Sequence, residues 1–252
     1  MKYRKRFSQN LLINQFILRE IAEVIDIGGK EILEIGAGTG LLTRELVKKA
    51  KKVFAVEIDE RMIPKLRENT AEFNNIKIIQ GDALSLDFSP YKTIFGNLPY
   101  HLSSPLLFRI IESNFEEAVL CLQKEFAERI VATPGSHEYS RLSVMVQSNC
   151  DPKIIRFISK NSFFPKPRVD SAVIHLKKNK KFRLDPALIN GIFMHKNKTL
   201  RNALVDSRKF LGKTKEEMLE FAASLEFSGK KVKEMELSEL EIASAQYARL
   251  QG

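Results

Sequence analysis

Residues 31–40 constrain the fold more than any other stretch of the chain. Glu31-Ile32-Leu33-Glu34-Ile35 is a short, largely apolar run and reads as a buried strand. Gly36-Ala37-Gly38-Thr39-Gly40 follows at once. Residues 41–50 then place Leu41, Leu42, Leu46 and Val47 on one helical face. Strand, glycine turn and helix in this order open a doubly wound parallel sheet, because glycines let the backbone approach a ligand where a Cβ would collide. Leu41 and Leu42 stand where a dinucleotide fingerprint has its later glycine, and no Gly-Lys-Ser/Thr follows to make a phosphate loop. A pyrophosphate is therefore disfavoured as the ligand.

Two further strand ends narrow the choice. Residues 52–58 form a second strand closing on Val56-Glu57-Ile58-Asp59, with Asp59 suited to capping the helix that follows. Glu57 is the better acceptor for the two hydroxyls of a ribose. Residues 76–80 form a third strand, followed by Gly81-Asp82-Ala83-Leu84. Asp82 reads either as an acceptor for an adenine amine or as a turn residue. Gly36, Gly38 and Gly40, Glu57, and Asp82 close three successive strands on one edge. The expected cofactor is a nucleoside without pyrophosphate, and S-adenosylmethionine is the obvious member of that class.

A fourth strand, residues 91–96, ends in Asn97-Leu98-Pro99-Tyr100, and Ser104 and Pro105 read as the cap and first residue of a helix. An adenine amino nitrogen is a poor nucleophile because its lone pair is delocalised into the ring. Two acceptors can draw its hydrogens out of plane. The Asn97 side-chain oxygen and the carbonyl of Leu98 or Pro99 are the candidates, with Tyr100 offering a face to the base. The competing reading makes Asn97 a turn cap and Tyr100 a core residue. Further on, Phe163-Phe164-Pro165-Lys166-Pro167-Arg168-Val169 follows an extended path imposed by its two prolines. One phenylalanine is expected to be buried and the other to be available for base stacking.

Charge is unevenly distributed. Residues 1–152 hold 20 Lys+Arg and 20 Asp+Glu, residues 153–252 hold 21 against 11, and 153–215 alone holds 17 against 3. A one-sided basic block suits a polyanion such as nucleic acid. No apolar run approaches the roughly 20 residues of a membrane span, and no signal-peptide core follows the basic Met1–Arg6. A cytoplasmic location is expected. Cys121 and Cys150 lie among apolar residues and read as free core thiols. Two cysteines and four scattered histidines form no metal-ligand pattern. From residue 185 onward the pattern is wholly helical, in four segments. The expected division is a catalytic domain over 1–178 and a helical, basic, RNA-binding domain over 179–252.

These motifs together resemble the ribosomal RNA small-subunit adenine dimethyltransferase family. Gln9-Asn10-Leu11-Leu12 is similar to its N-terminal cofactor motif, with Leu11 where Phe is usual. Spacing alone favours a helix-start turn for Gln9-Asn10. Leu33–Gly40, Gly81–Leu84 and Asn97–Tyr100 match closely. Phe163-x-Pro165-x-Pro167-x-Val169-x-Ser171 matches the late motif, Pro134–Ser140 matches a loop with Ser140 where Gly is common, and His195–Asn202 matches a basic helical segment. The resemblance implies a Rossmann-like class I methyltransferase sheet with a small helical C-terminal domain. It implies dimethylation of two adjacent adenines near the 3′ end of small-subunit rRNA within a partly assembled subunit, with no obligate protein partner. The implied S-adenosylmethionine site is Asn10, Leu12, Gly36, Gly38, Glu57, Ile58, Asp82, Ala83 and Asn97. The implied catalytic set is Asn97, Leu98, Pro99, Tyr100 and Phe163, with stacking assigned to Phe163. A large-subunit enzyme of the antibiotic-resistance type and a non-catalytic assembly factor on the same fold are the alternatives.

Overall fold

The computed structural model describes residues 10–250; Gln9 and the basic run Met1–Arg6 lie outside them. In chain order the elements are β1 (Leu11–Leu12), α1 (Gln15–Ala22), β2 (Glu31–Ile35), α2 (Leu41–Val47), β3 (Lys52–Glu57), α3 (Ile63–Asn69), β4 (Ile76–Gln80), β5 (Thr93–Asn97), α4 (Ser103–Glu112), β6 (Glu117–Gln123), α5 (Lys124–Val131), α6 (Arg141–Gln147), β7 (Cys150–Ile158), β8 (Phe163–Phe164), β9 (Ser171–Lys178), α7 (Pro186–Phe193), α8 (Leu200–Ser207), α9 (Lys215–Ala223) and α10 (Leu237–Arg249).

Seven strands form one sheet in the order β4-β3-β2-β5-β6-β9-β7. Strands β2 to β6 pair in parallel, and β9 runs antiparallel to β6. The parallel strands read as largely apolar runs because helices cover both faces. Ile32, Leu33, Ile94, Phe95 and residues 118–122 are all buried. On one face Ile17, Leu18 and Ile21 of α1 and Leu46 and Val47 of α2 close the core, each such side chain contributing roughly 1.5–3 kcal/mol. The chain builds outward from β2 to β4, then returns to lay β5 on the other side of β2. At that reversal the strand carboxyl ends open into a crevice.

The helix expected to begin at Ser104-Pro105 begins earlier. A single 3₁₀ turn, Tyr100–Leu102, runs straight into Ser103, so Ser104 is no cap and Pro105 is the third helical residue. Pro105 is still within the first turn, where a missing N–H leaves no helical bond unmade.

Two compact units divide the chain: Met1–Ala127 with Pro152–Lys178, and Glu128–Asp151 with Asn179–Gly252. The expected division at 178/179 is one of three crossings. Residues 128–151, expected in the catalytic domain, group with the helices instead. Ala132, Tyr139 and Val144 belong to the same core cluster as Leu188, Ile192, Leu204 and Phe221. The Tyr139 hydroxyl donates to the Met235 carbonyl at 3.1 Å, and its ring meets Phe193 edge-on with centroids 5.9 Å apart. The helical unit is also less basic than expected, with 16 Lys+Arg against 13 Asp+Glu, whereas the sheet unit has 25 against 18.

Candidate active site

The crevice is built from the turn after β2. Gly36 and Ala37 donate their N–H groups to the Val56 carbonyl at 2.9 and 3.0 Å, which folds the turn across the end of β3. Gly36 has φ +75°, and a Cβ there would lie 3.1 Å from the Asn97 backbone oxygen. A Gly36→Ala variant is expected to lose about 1–3 kcal/mol, because the strained φ and a backbone neighbour act together. A denaturant midpoint equal to the parent's would show that the turn tolerates a side chain.

Glu57 closes β3 and is buried. Its Oε2 accepts from Gly38 N–H at 2.7 Å and its Oε1 from Asp59 N–H at 2.8 Å. Burial pushes its carboxyl above the ordinary value, opposed by those two backbone donors. Both oxygens are fixed by the turn, and each retains a lone pair for an incoming hydroxyl. Asp82 is exposed, and its Oδ1 accepts from Leu84 N–H at 2.9 Å, capping the turn Ala83–Ser85. The turn role is thus taken by one oxygen of a residue that also borders the crevice.

Asn97 is the last residue of β5. Its Nδ2 donates to the Asn10 carbonyl at 2.9 Å, so its Oδ1 is left as an acceptor. Asn10 reaches this point because β1 pairs antiparallel with β8. The helix cap is Asn14, whose Oδ1 accepts from Phe16 and Ile17 N–H, so Asn10 has no part in starting α1. The Pro99 carbonyl already accepts from Leu102 N–H at 2.8 Å and from the Ser103 hydroxyl at 3.2 Å. Leu98 is buried and held by its N–H to the Cys121 carbonyl at 3.2 Å. The Tyr100 hydroxyl and the buried Ser171 hydroxyl lie 2.8 Å apart, and burial raises the phenol above its usual range.

These residues converge on one cleft. Asn10, Gly36, Gly38, Glu57, Ile58, Asp82, Ala83, Asn97, Leu98, Pro99 and Tyr100 line it. Leu11, the departure within the N-terminal motif, joins Ile35, Val56, Leu102 and Leu106 as the aliphatic walls; in the sequence those last four resemble any other core residue. Ile58 is 42% exposed there, an apolar face left open at the cleft mouth.

Two expected site residues stand elsewhere. Leu12 and Phe163 face each other in the β1–β8 register and are 5% and 3% exposed, inside the core with Leu18 and Phe95. Successive residues of a strand point to opposite faces, so Phe164 is the exposed one, at 55%. Stacking by the Phe163 ring is corrected accordingly. Leu12 lines a smaller cavity beneath the glycine turn, with Glu34, Thr39 and Cys121.

Glu34 is a group the sequence hid within an apolar run. It is 1% exposed, and its Oε2 has no hydrogen-bond partner among the described residues. Burial pushes its carboxyl up to about 7, with Thr43 opposing and Glu57 adding to the shift. Cys121 and Cys150 are buried thiols, and burial drives that of Cys121 up to about 12, so it is not a nucleophile.

A family model described as ribosomal RNA adenine dimethylase matches residues 1–235. A protein of Thermococcus sibiricus named probable ribosomal RNA small subunit methyltransferase A is 40% identical over 247 residues, 95% of this chain and 90% of that one. The crystal structure of a dimethyladenosine transferase from Plasmodium falciparum superposes with a TM-score of 0.84 at 30% identity, covering 95% of this chain and 98% of that one. The 23S rRNA methyltransferase ErmE superposes with a TM-score of 0.70 at 26% identity, covering 96% and 100%. No helix among the described residues is long and apolar enough to cross a membrane. A parallel sheet opened by a glycine turn, acidic strand ends and an amide poised over the cleft agree with these matches: the chain belongs to the ribosomal RNA adenine dimethylase family, enzymes that move methyl groups from S-adenosylmethionine onto adenine in ribosomal RNA.

Proposed function

We propose that this enzyme dimethylates the exocyclic amino groups of two adjacent adenines near the 3′ end of small-subunit rRNA, acting in the cytoplasm on a partly assembled subunit. The relatives' names support the small subunit, and ErmE supports the large one as the second reading. The observation that carries the chemistry is the Asn97 amide, pinned through Nδ2 to the Asn10 carbonyl so that Oδ1 presents an acceptor.

The cleft fits the cofactor. Gly38 has φ +57°, a conformation glycine adopts without strain, and its N–H holds Glu57 Oε2 at 2.7 Å, which turns that carboxylate into the cleft. Glu57 would hold the ribose hydroxyls, Asp82 the adenine amine, and Ile58 and Ala83 the faces of the ring. When bound, S-adenosylmethionine supplies an electrophilic sulfonium methyl. The protein's part is positioning and electrostatics. Asn97 Oδ1 and a backbone carbonyl take the two hydrogens of the substrate amine and turn its lone pair out of the ring plane. The Leu98 carbonyl is the better second acceptor, because that of Pro99 already takes two bonds. Tyr100 gives its face to the substrate base, and Ser171 fixes the hydroxyl end of that ring. The target adenine has to be single-stranded or flipped out of its stack to reach this depth.

Incubation with labelled S-adenosylmethionine and under-methylated small subunits is expected to label two adenines, each twice. Label on large-subunit RNA alone would move the enzyme to the second reading.

A further inference from the structure

A basic stretch of chain and the exposed aromatic residues described for the sheet unit share one rim. Residues 153–170 hold five Lys+Arg and one acidic residue, Asp170. This run contains most of β7, the edge strand of the sheet, and the segment around β8. Lys153, Lys166 and Arg168 are exposed and make no ion pair among the described residues. Among the described residues, the exposed phenylalanines of this unit lie on the same rim: Phe16 at 64%, Phe157 at 51% and Phe164 at 55%. Arg156 sits 5.6 Å from the Phe16 ring centre, and Lys124 sits 5.2 Å from that of Phe157, on the other side of the strand.

The rim is continuous with the cleft. Ile13 N–H donates to the Ser162 carbonyl at 2.9 Å, Leu11 is in register with Phe164, and Asn10, next in the chain, lines the cleft beside Asn97. An exposed edge strand carrying flat rings is a liability unless something covers it. Arg156, which also pairs with Glu20, and Lys124 stand beside two of those rings, and Lys153, Lys166 and Arg168 are exposed in the same stretch of chain. Such a surface suits a polyanion with stacking faces better than an apolar protein surface, since bases stack on aromatic rings while phosphates meet cations.

We propose that this rim, formed by β7, the β8 segment and the start of α1, is a docking surface for the single-stranded RNA that leads into the cleft. The strand's phosphates meet Lys153, Lys166 and Arg168, and its bases stack on Phe16 and Phe157. The inference rests on the reading of the enzyme as acting on RNA, and it places the grip on the sheet unit.

Fluorescence anisotropy with a labelled short single-stranded RNA containing two adjacent adenines tests it on the full-length chain. The Lys153→Gln, Lys166→Gln, Arg168→Gln triple variant is expected to bind roughly ten-fold or more weakly at about 100 mM salt. Its log affinity against log salt should be shallower by about 2, from about 0.7 per lost phosphate contact on a single strand. The Phe16→Ala, Phe157→Ala double variant should lose at least about five-fold with an unchanged slope, because stacking is uncharged. Calorimetric affinity for S-adenosylhomocysteine should stay at the parent value in both, which separates a lost surface from a lost fold. A Lys180→Gln, Lys181→Gln, Arg183→Gln variant of the helical unit is the comparison. Parent-like affinity and slope in the rim variants, with both lost in that comparison, would overturn the proposal and assign the grip to the helices. An RNA the parent itself fails to bind would also overturn it, while the methylation assay would still decide the reaction independently.

Discussion

Asn97→Ala is expected to lower the methyl-transfer rate by about 10²–10³-fold, the usual cost of removing one oriented group at a reacting centre. RNA affinity should stay within a few-fold of the parent. The variant removes the Oδ1 acceptor and also the bond that ties the amide to the Asn10 carbonyl at 2.9 Å. Asn97→Asp separates the two effects. It keeps an acceptor but sets a carboxylate oxygen against that carbonyl, where a donor is required. If the amide works because it is pinned, the aspartate variant should be nearly as damaging as the alanine one. Single-turnover rates at saturating cofactor are the measurement. An alanine variant within a few-fold of the parent would sink the assignment of Asn97 as amine acceptor.

The second large effect concerns stability. Glu34 has an ordinary carboxyl pKa of 4.5 when exposed and about 7 in the folded protein. Folding therefore favours its neutral form. The contribution is fully present below pH 4.5 and is lost as pH rises through 7. Above that, burying the carboxyl costs about 3 kcal/mol, taking 1.36 kcal/mol per unit for a fully buried group. Glu34→Gln keeps the shape and carries no proton to lose. The variant should therefore escape the fall in unfolding free energy that Glu34 imposes on the parent between pH 4.5 and 7, and above pH 7 it should be the more stable of the two. Denaturant titrations across that window read the difference. Parallel pH profiles for the two proteins would refute the buried-carboxyl account.

Much of the cleft could be read directly from the sequence. Gly36, Glu57, Asp82 and Asn97 each stand where a parallel strand ends, and chain order alone puts such ends on one edge. What escaped was set by distance along the chain. The Asn97–Asn10 bond spans 87 positions, and the Tyr100–Ser171 contact spans 71; no local pattern encodes either. For Phe163 and Phe164, alternation guarantees that one faces inward, but only pairing with Leu11 and Leu12 decides which. Glu34 was hidden because a single acid in an apolar strand leaves the hydrophobic pattern intact. Composition along the chain assigns the basic block to the helices, whereas the units are defined in space. Lys153 to Lys178 return to the sheet after the chain has already visited the helical unit.

That detour also bears on how the gene can be cut. The helical unit is no removable C-terminal tail, because its core takes Ala132, Tyr139 and Val144 from the middle of the chain. Ending translation after Lys178 would leave those side chains without Leu188, Ile192, Leu204 and Phe221 to cover them. The remnant would be a sheet carrying an apolar bulge between β6 and β7, not a minimal methyltransferase. Transplanting either unit between homologues would need two breakpoints in the middle of the chain as well as the one at 178/179.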